Sequence, residues 1–321
     1  MYHLTPKACI SLLTSIVILL LMASSATELC SQPKGSDIEV SLPHLRKQGS
    51  ATQLIVDGKP FLMLAGELGN SSASDLEYLR PVWSKLAKMH LNALVVPVYW
   101  ELVEPKEGVF DFTLIDSIIT SARLHNMKLV FLWFGTWKNS MSCYVPLWIK
   151  TDPERFPRAH QKNGKAEEIL TAFNNTNKTT DAHAFATLMK HLRSFDEQKQ
   201  TVVLVQVENE IGMIPDARDY SESANESFKA AVPAKLLSYL KEHKDDLNPD
   251  LRELWGKNGF ETNGNWEEIF GSGLSTDELF MAWNFAEYTN YVAEAGKKEY
   301  PLPMYVNAAL IRPGYKQGQY P

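Results

Sequence analysis

Three stretches of this chain, residues 92–100, 129–134 and 202–205, are apolar at almost every position. A strand with one wet face alternates apolar and polar side chains, whereas an unbroken apolar run is what a strand covered on both faces requires. Segments of helical periodicity separate these runs. Leu76, Leu79, Val82, Trp83, Leu86 and Met89 recur at helical spacing behind Ser71, Ser72 and Ser74, whose hydroxyls suit a helix start. Residues 112–126, 181–195, 233–243 and 276–297 read as further helices, and 61–67 and 303–310 as a first and a fifth strand. Asp57-Gly58, ahead of the first strand, is a hairpin-turn dipeptide. Residues 136–180 read as a long polar loop and 248–273 as an irregular insertion.

Strands alternating with helices imply right-handed crossovers and a parallel sheet. A doubly wound sheet and a closed barrel both fit that alternation. The first strand is followed by no glycine-rich turn, which removes support for a dinucleotide fold. Carboxylates, amides and aromatics gather instead where the strands finish: Glu67, Tyr99, Trp100 with Glu101, Trp137, Asn209 with Glu210, and Asn307. Barrel enzymes keep their sites at that end. The expected fold is therefore α/β, a (β/α)8 TIM barrel that is incomplete, with about five of eight strands present. The barrel is expected over residues 54–321 behind a lead-in of 27–53, and residues 27–321 alone are expected to leave an unclosed sheet edge.

The N-terminus carries Lys7, an apolar run over residues 10–23 and the small residues Ser24, Ser25 and Ala26. That is the layout of a signal peptide cleaved after about Ala26, so a secreted protein is expected, with membrane contact only through that segment. A formal charge of −6 and no long Lys/Arg block leave no electrostatic footprint for nucleic acid. Of the three cysteines, Cys30 and Cys143 lie outside the signal segment and are too few for a disulfide framework. The eight histidines show no ligand spacing, so neither a metal nor another cofactor is expected.

The densest chemistry is in Gln206-Val207-Glu208-Asn209-Glu210. Strand alternation puts Gln206, Glu208 and Glu210 on one side, and two glutamates pointing the same way at a strand end predict a polar cleft. Cleaving a glycosidic bond requires a proton donor at the leaving oxygen, a task for a carboxyl group held protonated by an enclosed site or a neighbouring negative charge.

This stretch resembles the acid/base motif of glycoside hydrolase family 35, the β-galactosidases, in the barrel clan whose fourth strand ends in Asn-Glu. The resemblance implies that Glu210 is the proton donor and that Asn209 holds the 2-hydroxyl of the sugar. It extends to Gly66-Glu67, to Trp100 with Glu104-Pro105 and Phe110-Asp111-Phe112, and to Pro146-Leu147-Trp148. Departures fall at Pro97, where the family commonly has a galactose-binding Tyr, at Glu101, and at Asn139 in a shortened third loop. The implied activity is retaining hydrolysis of terminal β-galactosides in oligo- or polysaccharides. Another clan activity (β-xylosidase, arabinosidase or endo-glycanase) and a glycan-binding barrel without hydrolysis stay open. The resemblance further implies a nucleophilic Glu on the seventh strand, beyond the five strands read here, which leaves the residues given expected to be inactive by themselves.

Overall fold

The protein is described by a computed structural model over residues 41–213 and 216–308. The expected signal segment lies outside the described residues. From Ser41 the chain forms an antiparallel sheet of β1 (His44–Gln48), β2 (Ala51–Val56) and β3 (Lys59–Pro60). Asp57 and Gly58 have φ of 51° and 74°, the left-handed pair that a two-residue hairpin turn needs to match strand twist. Within the expected lead-in of 27–53, β1 pairs with β2 from His44 opposite Ile55 to Gln48 opposite Ala51.

There follow β4 (Ala65–Glu67), α1 (Leu76–Lys88), β5 (Ala93–Tyr99), α2 (Trp100–Val103), α3 (Thr113–Leu124) and β6 (Lys128–Lys138). Next come α4 (Leu147–Lys150), a hairpin of β7 (Arg158–His160) and β8 (Ala166–Leu170), then α5 (Asn175–Asp196) and β9 (Val202–Asn209). The remaining elements are α6 (Glu222–Lys229), α7 (Ala234–Glu242), α8 (Pro249–Gly256), α9 (Trp266–Phe270), α10 (Leu274–Glu299) and β10 (Met304–Tyr305).

The central sheet has the order β10-β9-β6-β5-β4, and every neighbouring pair is parallel. Apart from the β7–β8 hairpin, which lies outside this sheet, the strands stand side by side in the order in which the chain makes them. A doubly wound sheet reverses its order at a switch point and a barrel does not, so these are five consecutive strands of a (β/α)8 barrel. The unbroken apolar runs become β5, β6 and β9, and β6 is buried from Leu129 to Lys138. The first strand is short, and β10 covers only the start of the fifth strand that the sequence predicts over 303–310. Beyond β10, Ala308 adds an isolated parallel bridge to Ile211, and residues from 309 onward lie outside the described residues.

Helix starts differ from the periodicity in instructive ways. The cap of α1 is Asp75, whose Oδ1 accepts from Tyr78 N at 2.8 Å, rather than one of the serines before it. The third crossover helix, α5, begins at Asn175 and not at Asp181, capped by Asn174 accepting from Asn177 N at 3.0 Å. Asn177 and Asp181 are polar residues on a buried face, so the apolar period is broken where the helix is most enclosed. Asn177 Nδ2 donates to the carbonyls of Pro157 and Thr171 at 3.0 and 2.9 Å, tying down the β7–β8 hairpin within the segment read as a loop. Two short helices, α8 and α9, occupy the supposed insertion, one with Asn248 and Pro249 at its start and one with a capping box of Asn265 and Glu268.

Behind the sheet, α5 packs on α10, with Phe185 and Met189 of α5 against the backbone at Gly296 of α10. A Cβ on Gly296 would overlap Phe185 Cε1, lie 2.6 Å from its Cδ1 and stand 3.0 Å from Met189 Cγ. Gly296→Ala is therefore expected to destabilise the protein by about 1 to 3 kcal/mol, the cost of overpacking outweighing the better helix propensity of alanine. Guanidinium denaturation measures this, and unchanged or increased stability would show that the α5–α10 contact is looser than the structure implies.

Candidate functional site

The C-terminal ends of the parallel strands bring together Glu67, Lys138, Asn139, Asn209, Glu210 and Asn307. Asn209, at the end of β9, is buried, and its Oδ1 accepts from Gln206 Nε2 at 3.1 Å and from Asn307 Nδ2 at 3.3 Å. Its Nδ2 lies 3.4 Å from Asn139 Oδ1. Glu210 is held through its backbone: its N–H donates to Asn307 Oδ1 at 2.8 Å, and its carbonyl accepts from Ser140 N at 2.9 Å and Ser140 Oγ at 3.1 Å. The Glu210 side chain is partly exposed, and its carboxylate accepts no hydrogen bond among the described residues. Amides from three strand ends thus fix the main chain of the Asn-Glu pair and leave the acid free.

Lys138 was not singled out in the sequence, although a lysine closing an all-apolar strand is a signal. Its ammonium stands 5.0 Å above the Phe134 ring and bonds Asn139 Oδ1. Burial pulls its pKa down, while the charges of Glu210, Cys143 and Glu67 oppose that. Glu67 is exposed at the end of β4, and its charge also acts on Tyr305 of β10. Glu101, on α2, is at the rim in a 3.3 Å ion pair with Lys150.

The aromatic candidates lie elsewhere. Trp100 and Trp137 are fully buried and Tyr99 is 2 % exposed, so none of the three offers a face to a sugar. Trp100 points under α2, where its Nε1 donates to Glu104 Oε2 at 2.8 Å, and Glu104 Oε1 accepts from Gly108 N at 2.8 Å. Tyr99 accepts from Ala73 N at 3.2 Å and packs on Phe134 and Tyr144. Trp137 is edge-on to Phe285 and Tyr288 of α10. Position at a strand end did not distinguish a side chain facing the cleft from one facing the helices.

Glu208 also departs from the alternation. Register between β6 and β9 runs to Trp133 opposite Val207 and resumes at Lys138 opposite Asn209, so residues 134–137 stand against Glu208 alone. Glu208 and Glu210 have φ of 61° and 47°, and Asn139 and Ser140 beside them 53° and 58°. Left-handed backbone is disfavoured for residues with a Cβ, which makes this bulge a site of stored strain. The turn carries Glu208 away from Gln206 to the helix side, where its Oε2 accepts from Trp137 N at 2.7 Å next to Asp181 of α5. Asp181 accepts from Trp133 Nε1 at 2.9 Å, Thr136 N at 3.2 Å and Thr136 Oγ1 at 2.7 Å, and Thr136 Oγ1 meets the Tyr288 hydroxyl at 2.9 Å. Burial first, and then the charge of Asp181, push the Glu208 carboxyl well above the usual carboxylate range. Among the described residues no group of three or more His, Cys, Asp or Glu side chains is arranged to hold a metal ion, and no helix is long and apolar enough to cross a membrane.

The model of glycoside hydrolase family 42, described as beta-galactosidase, matches residues 77–273, more than half of the chain. The chain is similar to a beta-galactosidase from Xanthomonas manihotis, 33% identical over 81 residues, which are 25% of this chain and 13% of that protein. It is similar to beta-galactosidase 11 of Arabidopsis thaliana, 26% identical over 196 residues, 57% of this chain and 22% of that protein. Among solved structures, the beta-galactosidase of Bacillus circulans superposes with a TM-score of 0.51 at 16% identity, covering 77% of this chain and 36% of that one. A family 42 beta-galactosidase from G. stearothermophilus gives 0.53 at 15% identity, covering 76% and 35%. The chain thus spans about a third or less of the length of each of these proteins. At such identity the structures bear on the fold alone, which is the barrel. The family 35 membership implied by the motif is not supported, because the Asn-Glu ending is common to the clan and does not separate its families.

Gly135 is the point on which the buried network closes. A Cβ there would overlap Trp133 Nε1 and lie 2.6 Å from Glu208 Oε1 and 2.8 Å from Asp181 Oδ1. Gly135→Ala is expected to cost about 2 to 4 kcal/mol, by overpacking and by breaking buried hydrogen bonds. Denaturant unfolding reads the loss, and a change of less than about 0.5 kcal/mol would show that the network tolerates displacement.

Proposed function

Since the chain belongs to glycoside hydrolase family 42, the beta-galactosidase family, we propose that the protein hydrolyses terminal β-galactosides of oligo- or polysaccharides with retention, using Glu210 as general acid/base. The observation that carries this reading is the state of the Asn209–Glu210 pair at the end of the fourth barrel strand: main chain braced by Asn307 and Ser140, carboxylate unbound. An acid that must give a proton to the leaving oxygen and then take one from water cannot be locked in a permanent salt bridge. Lys138, whose charge acts on it, makes no ion pair with it among the described residues. Asn209, with both ends of its amide oriented by neighbours, is suited to hold the 2-hydroxyl, where hydrogen bonds strengthen as the oxocarbenium-like state forms.

The double displacement needs a second carboxylate about 5 to 5.5 Å from the first. Glu208 is not that group, since it is sealed with Asp181 on the helix side. Glu101 is turned to Lys150 at the rim. We assign the nucleophile to a barrel strand outside the described residues. The proposal includes export through residues 1–26, which N-terminal sequencing of the mature protein tests by a start near Thr27.

In the full-length protein, Glu210→Gln is expected to lower kcat on the order of a hundred- to ten-thousand-fold for galactosides with basic leaving groups, and far less for activated aryl galactosides. Equal losses across the leaving-group series in the glycosylation step would remove Glu210 from the role. Across a panel of aryl glycosides, the galactoside is expected to be cleaved fastest, and a faster xyloside or arabinoside would redirect the substrate. Asn209→Ala is expected to reduce kcat on the order of tenfold or more with a smaller change in KM. A change confined to KM would mark Asn209 as a plain binding residue.

A further inference from the structure

The carboxyl of Glu208 takes no part in the chemistry above, yet it lies directly beneath it. Glu208 and Asp181 are both without solvent exposure, and their Oε1 and Oδ1 oxygens converge on the same small space beside Gly135. Asp181 uses its oxygens as an acceptor of three hydrogen bonds, from Trp133 and twice from Thr136. Glu208 Oε2 accepts from Trp137 N, whereas Oε1 accepts no hydrogen bond among the described residues. Two ionised carboxylates sharing a dry space would each carry an uncompensated charge, and one oxygen would be left with nothing to accept. A proton on Oε1 resolves both faults, because it turns the orphan acceptor into a donor toward Asp181.

We propose that Glu208 is a positioning residue, a neutral carboxyl that donates from Oε1 to Asp181 and thereby holds the left-handed end of β9 on which Asn209 and Glu210 stand. The strained conformations at residues 208 and 210 persist only if something over-determines them. At 210 that is Asn307 and Ser140, and at 208 it is the side chain, pinned between Trp137 N of β6 and Asp181 of α5. The titratable groups facing Glu208 are Asp181 from α5 and Tyr288 from α10, the latter itself pushed up by burial and by the two carboxyls. The positioning role rests on Glu210 being the acid/base, but the presence of the proton does not.

The two parts separate in one experiment on the full-length protein with Glu208→Gln. A carboxyl whose pKa rises on folding stabilises fully below its ordinary value of 4.5, and that contribution is lost as pH climbs toward the folded value. Glutamine keeps the donor and the acceptor and never titrates. Denaturant unfolding at pH 5 to 8 should therefore show the folding constant of the variant gaining on that of the wild type, by up to about tenfold per pH unit. A variant that is less stable than the wild type by a margin that widens with pH, or that fails to fold, would falsify the neutral carboxyl. For positioning, Glu208→Leu, which has no donor, should lower kcat at least about tenfold with KM within about threefold, Glu208→Gln should restore kcat to within about threefold of wild type, and the crystal structure of the Gln variant should keep residue 210 left-handed. Wild-type kcat in a folded Leu variant would overturn the positioning role, and so would loss of kcat by two orders of magnitude in the folded Gln variant, because the proton would then be part of the reaction. If the wild type cleaves no β-galactoside, the proposed function fails, while the stability series and the conformation at residue 210 still decide this inference.

Discussion

Where β6 and β9 lose register, one glutamate stands against residues 134–137 of the neighbouring strand, and everything at the open end of the sheet is arranged around that mismatch. The extra length in β6 lets Thr136 and Trp137 turn their N–H groups to Asp181 and Glu208 instead of to a partner strand. The same extra length delivers Lys138, Asn139 and Ser140 to the level of Asn209 and Glu210. A regular parallel pair would have finished β6 earlier and placed no amide or ammonium there. The bulge is tolerable because the N–H groups of Thr136 and Trp137 find carboxyl partners in place of the ladder, and the glycine at 135 leaves room for the side chains of Trp133, Glu208 and Asp181 to meet.

Two layers of polar side chains result, one on each side of the strand end. The upper layer is half-open and built from amides, which orient without contributing charge of their own. The lower layer is closed, acidic and in contact with α5 and α10, so the helix that bears Asp181 is joined to the strand that bears Glu210. That connection makes rigidity at the acid/base depend on packing between helices as well as on the sheet. It also accounts for Trp137, whose ring fills the space between β6 and α10 and whose backbone, not its indole, serves the site.

The Asn-Glu motif identifies a clan and leaves the family open, since it encodes what any such barrel needs at its fourth strand. A match along residues 77–273 covers the loops and helices between the strands as well as the motif, and it places the chain in family 42. Of the departures from the family 35 pattern at Pro97, Glu101 and Asn139, two lie at the site. Asn139 now stands in the amide cluster and Glu101 at its rim.

The sequence by itself determined the architecture, because apolar runs of strand length alternating with amphipathic helices bury well only as a parallel sheet between covering layers. It also determined that the chemistry would gather at the strand ends, and it pointed to Glu210, Asn209 and Asn307 as polar residues there, with Asn139 coming only from the family resemblance. Only the tertiary structure decided which side of the sheet each of these end residues would face. A period of two holds while the ladder is regular, and here it fails at Glu208, where left-handed backbone sends an acid to the helix layer that alternation had assigned to the cleft. Trp100 and Trp137 were equally undecidable, because an aromatic at a strand end has the same local sequence whether it meets a sugar or a neighbouring helix. Asp181 carries no local signal of its role beyond a helix: the donors that it accepts from are 45 residues or more away along the chain, and no local pattern records them.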